Sequence, residues 1–127
     1  MLKVGYEKNQ DQICGKIEGD LTHEVAKQYF SEVSAVAKET KCAKILTDVR
    51  LARLSATESE MESLSSELAA MGIALDSRRA ILVTEDVKQY KTWENYCFRN
   101  GFKGIRLFMD AEAAHDWLVN EPIARLN

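Results

Sequence analysis

Asp48 and Arg50 stand two residues apart in the run Leu46-Thr47-Asp48-Val49-Arg50. In an extended segment such residues project to the same side, so the carboxylate and the guanidinium can share a salt bridge or together grip an anionic ligand. Ion pairs commonly serve structure, and the first reading of this one is a clamp on the loop leading to Leu54. Further along, Ser55 and Thr57 are each followed three residues later by a glutamate, Glu58 and Glu60, the spacing of a helix capping box. A helix start offers free N–H groups and the positive end of the macrodipole, a setting that suits a phosphate. The glutamates place carboxylates in the same spot, so helix capping is the leading role for both hydroxyls. Asp48, Arg50, Ser55 and Thr57 are therefore the candidate ligand-binding or partner-binding residues.

The other reactive side chains are more dispersed. Thr84, Glu85 and Asp86, then Met109 and Asp110, follow apolar runs, where clustered acids invite comparison with the magnesium and phosphoryl chemistry of a receiver domain. That comparison fails, because the chain opens on a hairpin and no lysine follows its last apolar run. Asp86 and Asp110 read instead as helix caps. His23 and His115 have no second histidine or cysteine at ligand spacing and no nucleophile beside them, so both are expected to be solvated helix residues. Cys14, Cys42 and Cys97 are an odd number without a CxxC pair, which argues against a disulfide framework and against zinc. Reduced, mostly buried thiols are expected, with no metal, no cofactor and no catalytic constellation. An enzyme using Asp48 or Cys97 is a minor alternative.

Alternation and helical spacing define the elements that must hold these groups. Leu2, Val4 and Tyr6, then Ile13, Gly15 and Ile17, alternate with polar residues on either side of a polar turn, which predicts a β-hairpin. After Gly19-Asp20-Leu21-Thr22 the period lengthens, and Val25, Tyr29, Val33 and Val36 mark a helix capped by Thr22 or Asp20. Ala43 to Val49 reads as a buried strand ending at the aspartate, with a loop from Arg50 to Leu54. Met61, Leu64, Leu68 and Met71 stripe a second helix that stops at Gly72. Arg79 to Thr84 is the next strand, and Asp86 opens a helix through Val87, Tyr90, Trp93 and Cys97 to a left-handed stop at Gly101. Gly104 to Phe108 is the last strand. Asp110 caps a final helix carrying Ala113, Ala114, Trp117 and Leu118, limited by Pro122.

The order β-β-α-β-α-β-α-β-α predicts an α/β fold with a mixed, mostly parallel sheet covered by helices. A chain of 127 residues, 46% apolar and 29% charged, fits one domain spanning 1–127 with a core of its own. Its longest apolar runs fall far short of the ~20 residues of a membrane span, and its start lacks a secretory h-region, so the cytoplasm is the expected location. A net charge of −3 would weakly repel a phosphate backbone, which disfavours nucleic acid. Arg78, Arg79, Lys88, Lys91, Arg99, Lys103 and Arg106 make the second half locally basic, mostly as solvated face, while Trp93, Phe98, Phe102, Phe108 and Trp117 read as core. No self-complementary surface is legible.

Four stretches give the chain a family likeness: Gly19-Asp20-Leu21-Thr22, Leu46-Thr47-Asp48-Val49-Arg50, Gly101-Phe102 with Gly104, and the closing run Phe108 to Leu118. Together with the element order they resemble the STAS domain of anti-sigma-factor antagonists and sulfate-transporter tails, and more closely the SpoIIAA-like family of bacterial proteins. The resemblance implies a non-enzymatic regulatory module that binds a protein partner. In that family the switch is a serine in an Asp-Ser-Ser-Gly run after the third strand. The corresponding stretch here, Leu54-Ser55-Ala56-Thr57-Glu58-Ser59, lacks that run, so phosphorylation is not carried over. An alternative follows from sheet architecture shared with lipid-transfer proteins of the CRAL-TRIO type: a carrier or sensor of a small apolar or anionic ligand, such as a lipid.

Overall fold

Leu2, Val4 and Tyr6 lie opposite Ile17, Gly15 and Ile13, so β1 (Leu2–Glu7) and β2 (Gln12–Leu21) form the expected antiparallel hairpin. The computed structural model describes residues 1–120; Pro122, the expected limit of the last helix, lies outside the described residues. Thr22 accepts a hydrogen bond from the Val25 amide and starts α1 (His23–Thr40), which buries Tyr29, Phe30 and Val33. Strand β3 (Lys44–Leu54), helix α2 (Glu58–Glu67), strand β4 (Arg78–Leu82), helix α3 (Val87–Arg99), strand β5 (Ile105–Phe108) and helix α4 (Ala111–Val119) complete the predicted order.

The five strands stand in sequence order, with β2 to β5 parallel. Each parallel crossover steps the same way along the sheet, and right-handed connections then place α1, α2 and α3 on one face. Ile13, Ile17, Ile45, Val49, Ile81, Val83 and Ile105 point into the core beneath them. The alternate residues Leu46, Ala80 and Leu82 face the other way, where Ala114 and Leu118 of α4 cover them. That helix lies over β3, β4 and β5, so among the described residues no helix covers the outer face of the hairpin beside it.

Two expectations are corrected. Arg50 to Leu54 is not a loop, because β3 continues to Leu54 alongside Glu18 to Leu21. Between the pairs Lys16–Asp48 and Glu18–Leu51, β2 advances two residues while β3 advances three, a bulge that breaks the alternation by which a strand is read. An ion pair from Arg53 to Asp20, 2.9 Å, joins the two extensions. Asp86, expected to cap α3, makes no cap bond; its backbone is left-handed (φ 57°), and its carboxylate accepts from the Leu54 amide at 3.2 Å. Asp110 does cap α4, through the Ala113 amide at 2.9 Å. Gly101 takes the left-handed conformation that ends α3 (φ 97°), as its type demands.

Candidate functional site

Asp48 and Arg50 do pair, and tightly. The guanidinium donates from Nε to Oδ1 at 3.0 Å and from Nη2 to Oδ2 at 2.9 Å, and the Arg50 amide adds a third bond to Oδ1 at 3.0 Å. Burial pushes the Asp48 carboxyl up, but these bonds from the Arg50 side chain and backbone, with its charge, outweigh burial and leave the group below its usual range. The Arg50 carbonyl accepts from the Thr84 hydroxyl at 3.1 Å, tying the bulge to the end of β4. The pair therefore anchors the β3 extension, and its carboxylate has little capacity left for a ligand.

Thr57 is the N-cap of α2 in a full capping box. Its hydroxyl accepts from the Glu60 amide at 3.1 Å, and the Glu60 carboxylate accepts from the Thr57 amide at 2.9 Å. Ser55 instead donates a long bond to the Arg53 carbonyl, 3.4 Å. Glu58 accepts from the buried Tyr96 hydroxyl at 2.7 Å and so fastens α2 to α3. The four candidate residues do not form one site. Asp48 points with Leu46 to the α4 face, whereas Ser55 and Thr57 sit at the start of a helix on the opposite face.

The α4 face carries an open groove of about 450 Å³ along the hairpin, lined by Lys3, Cys14, Lys16, Asp48, Arg50 and His115 among others. His115 is not simply solvated, because its Nδ1 lies 2.8 Å from Oε1 of the fully buried Gln12. Burial raises the thiols of Cys14, Cys42 and Cys97, which keeps them protonated and poor nucleophiles. Among the described residues no group of three or more His, Cys, Asp or Glu side chains is placed to hold a metal ion, and no helix is long and apolar enough to cross a membrane.

The opposite face holds what the sequence reading missed. A cavity of about 60 Å³ lies between the sheet and α1, α2 and α3, walled by Val49, Met61, Leu64 and Trp93. Arg79, expected on a solvated face, borders it and is only 3% exposed. Its guanidinium sits 5.4 Å and 5.3 Å from the centres of the Phe30 and Phe102 rings, and Nη2 donates to the Cys97 sulfur at 3.6 Å. Its Nη1 has no hydrogen-bond partner among the described residues. His23 and Tyr90 also line the cavity, and His23 Nε2 and the Tyr90 hydroxyl are buried without a partner among the described residues. The signal for Arg79 was strand parity, since it shares a face with Ile81 and Val83. Phe98 departs from the predicted core in the other direction: it is exposed, beneath the Lys103 ammonium at 4.5 Å.

No family model and no curated protein matches this chain. Among solved structures it is similar to an uncharacterized protein of the DUF3478 family with a SpoIIAA-like fold from Shewanella loihica PV-4, at 22% identity and TM-score 0.61 over 92% of this chain and 93% of that one. It is also similar to the anti-sigma factor antagonist SpoIIAA in its unphosphorylated form, at 14% identity and TM-score 0.55 over 89% and 92%. A third likeness is to the Bacillus cell fate determinant SpoIIAA in the phosphorylated form, at 12% identity and TM-score 0.51 over 89% and 96%. The chain thus has a SpoIIAA-like, STAS-type α/β fold, as its element order predicted.

Proposed function

We propose that this chain is a non-enzymatic regulatory module that docks a protein partner at the carboxyl edge of its sheet. The observation that carries the reading is Leu51, 64% exposed on the bulged extension of β3 and flanked by Arg50 and Arg53. Val87 and Met109, also exposed, stand at the same edge after β4 and β5. Apolar side chains gathered on one edge with charges around them mark an interaction surface. The named SpoIIAA structures support a regulatory role by likeness of fold, one of them being an anti-sigma factor antagonist. Regulation here does not run through an Asp-Ser-Ser-Gly serine, and the capping box commits Thr57 to α2.

The test compares capture from the native cell by three forms. The parent protein and Leu75→Asp, altered at an exposed leucine before β4 at the opposite edge, are expected to retain the same partner, while Leu51→Asp loses it. Equal retention by all three, or no specific partner for any, overturns the reading.

A second reading, internal binding of a small ligand, is favoured by the buried Arg79 beside the cavity. Guanidinium groups are almost never fully buried without an anion, and no ion pair is formed by Arg79 among the described residues.

A further inference from the structure

We propose that the cavity beneath α1, α2 and α3 is a site for a short-chain monocarboxylate, its carboxylate paired with Arg79 and its alkyl end against Val49, Met61, Leu64 and Trp93. This rests on the ligand-binding reading and is independent of partner docking.

Three observations fix the class of ligand. The first is charge. The Arg79 guanidinium is 3% exposed, lies against the Phe30 and Phe102 rings and the Cys97 sulfur, and forms no ion pair among the described residues. Arg79 lines the cavity, its Nη1 is buried with no hydrogen-bond partner among the described residues, and an N–H of the planar fork matches a carboxylate oxygen. The second is the number of donors. One arginine with an apolar surround answers a single negative charge; a phosphate dianion would need further donors around its other oxygens, and of the unpaired groups that line the cavity the Tyr90 hydroxyl is remote. Tyr90 precedes Cys97 by seven residues on α3, which at 1.5 Å per residue is roughly 10 Å along the helix. The third is size. One water needs about 10–15 Å³ of such space, so the cavity of about 60 Å³ holds about four to six non-hydrogen atoms. That range runs from acetate to butyrate and favours them over a long acyl chain, most of which would lie outside the cavity, while drug-sized ligands occupy cavities of roughly 300 Å³ and more.

The structure also predicts an unusual sign for a binding-site substitution. Removing an uncompensated buried charge relieves the free protein, so Arg79→Met is expected to raise its melting temperature or leave it unchanged while abolishing ligand binding. Thermal unfolding and calorimetric titration at constant ionic strength would use sodium acetate, propionate and butyrate, with sodium chloride, sodium octanoate and 1-butanol alongside. Butyrate or propionate at a hundredfold excess over its Kd is expected to raise the melting temperature of the parent protein by about 10 °C. Octanoate, butanol and chloride have no such effect. Arg79→Met loses the shift, and Arg79→Lys, which keeps the charge without the fork, binds at least about tenfold more weakly. Should Arg79→Met fail to fold, the lysine variant decides alone, and parent-like affinity in it overturns the carboxylate pairing. A shift of equal size with butanol or with chloride leaves internal binding standing but overturns the carboxylate assignment. No shift with any compound removes the ligand-binding reading altogether.

Discussion

Gly15 offers the sharpest test of how the core of this fold is built. A β-carbon placed there would run into the ring and hydroxyl of Tyr29. That ring is held in place: Tyr29 is 1% exposed, packs edge-on against Phe30 with centroids 5.3 Å apart, and shares a 2.5 Å hydrogen bond with the Thr47 hydroxyl. Forcing extra atoms into such a site costs about 1–3 kcal/mol, and the upper end applies because moving the ring would break its Phe30 packing and its Thr47 hydrogen bond. Losing a strand glycine returns about 0.5–1 kcal/mol of backbone entropy, so Gly15→Ala should destabilise by about 2 kcal/mol net. An unfolding entropy of about 2.1 cal/mol/K per residue over 127 residues is about 0.27 kcal/mol/K, which turns that cost into a fall of about 7 °C in Tm. Circular dichroism melts of the single variants and of Gly15→Ala with Tyr29→Leu give the assay. In the double variant the clash has gone, so the two costs should fall short of adding by about 1 kcal/mol or more. A Gly15→Ala protein melting within about 1 °C of the parent, or strict additivity, would refute the close-contact explanation.

Two further outcomes follow from the candidate site. Thr57→Ala should lower stability by about 1 kcal/mol, or about 4 °C, by opening the capping box, while Ser55→Ala with its single long bond should melt within about 1 °C of the parent; equal losses in thermal melts would show that Thr57 is not the functioning cap. Asp48→Asn should cost about 0.5–1 kcal/mol at pH 7. Because folding lowers the Asp48 pKa, the carboxylate stabilises above its unfolded value near 4 and loses that contribution as pH falls through the lower folded value. The gap in Tm between the parent and Asp48→Asn should therefore be constant from pH 7 to about 5 and shrink below about 4; a gap unchanged down to pH 3 would exclude ionisation of Asp48 as its source.

Element order and most boundaries were legible because their causes are local. Thr22, Thr57 and Asp110 cap helices through backbone amides three residues on, and Gly101 ends one through its own backbone freedom. The parts that escaped depend on partners distant in sequence. Arg50 to Leu54 became strand because Glu18 to Leu21 lies beside it across a bulge. Asp86 was drawn from its cap position by the Leu54 amide, 32 residues away. For the site, the Asp48–Arg50 pair was readable from spacing alone, although the segment it holds is the continuation of β3 and not the loop first expected. Arg79 was not, because a charged residue at the head of an apolar strand looks like a solvated edge until its parity with Ile81 and Val83 is enforced by the register with β3 and β5.

The placement of α4 on the second face of the sheet sets a timetable. Leu46, Ala80 and Leu82 form an apolar strip whose cover, Ala114 and Leu118, is the last of the described elements to be synthesised. Thirty-seven residues separate Leu82 from Val119, and at roughly 5–20 residues per second the strip waits on the order of 2–7 seconds for its lid. A ribosome stalled between β5 and α4 would present a nearly finished sheet with one greasy side, the form of this chain most prone to sticking to its neighbours and to recruiting a chaperone.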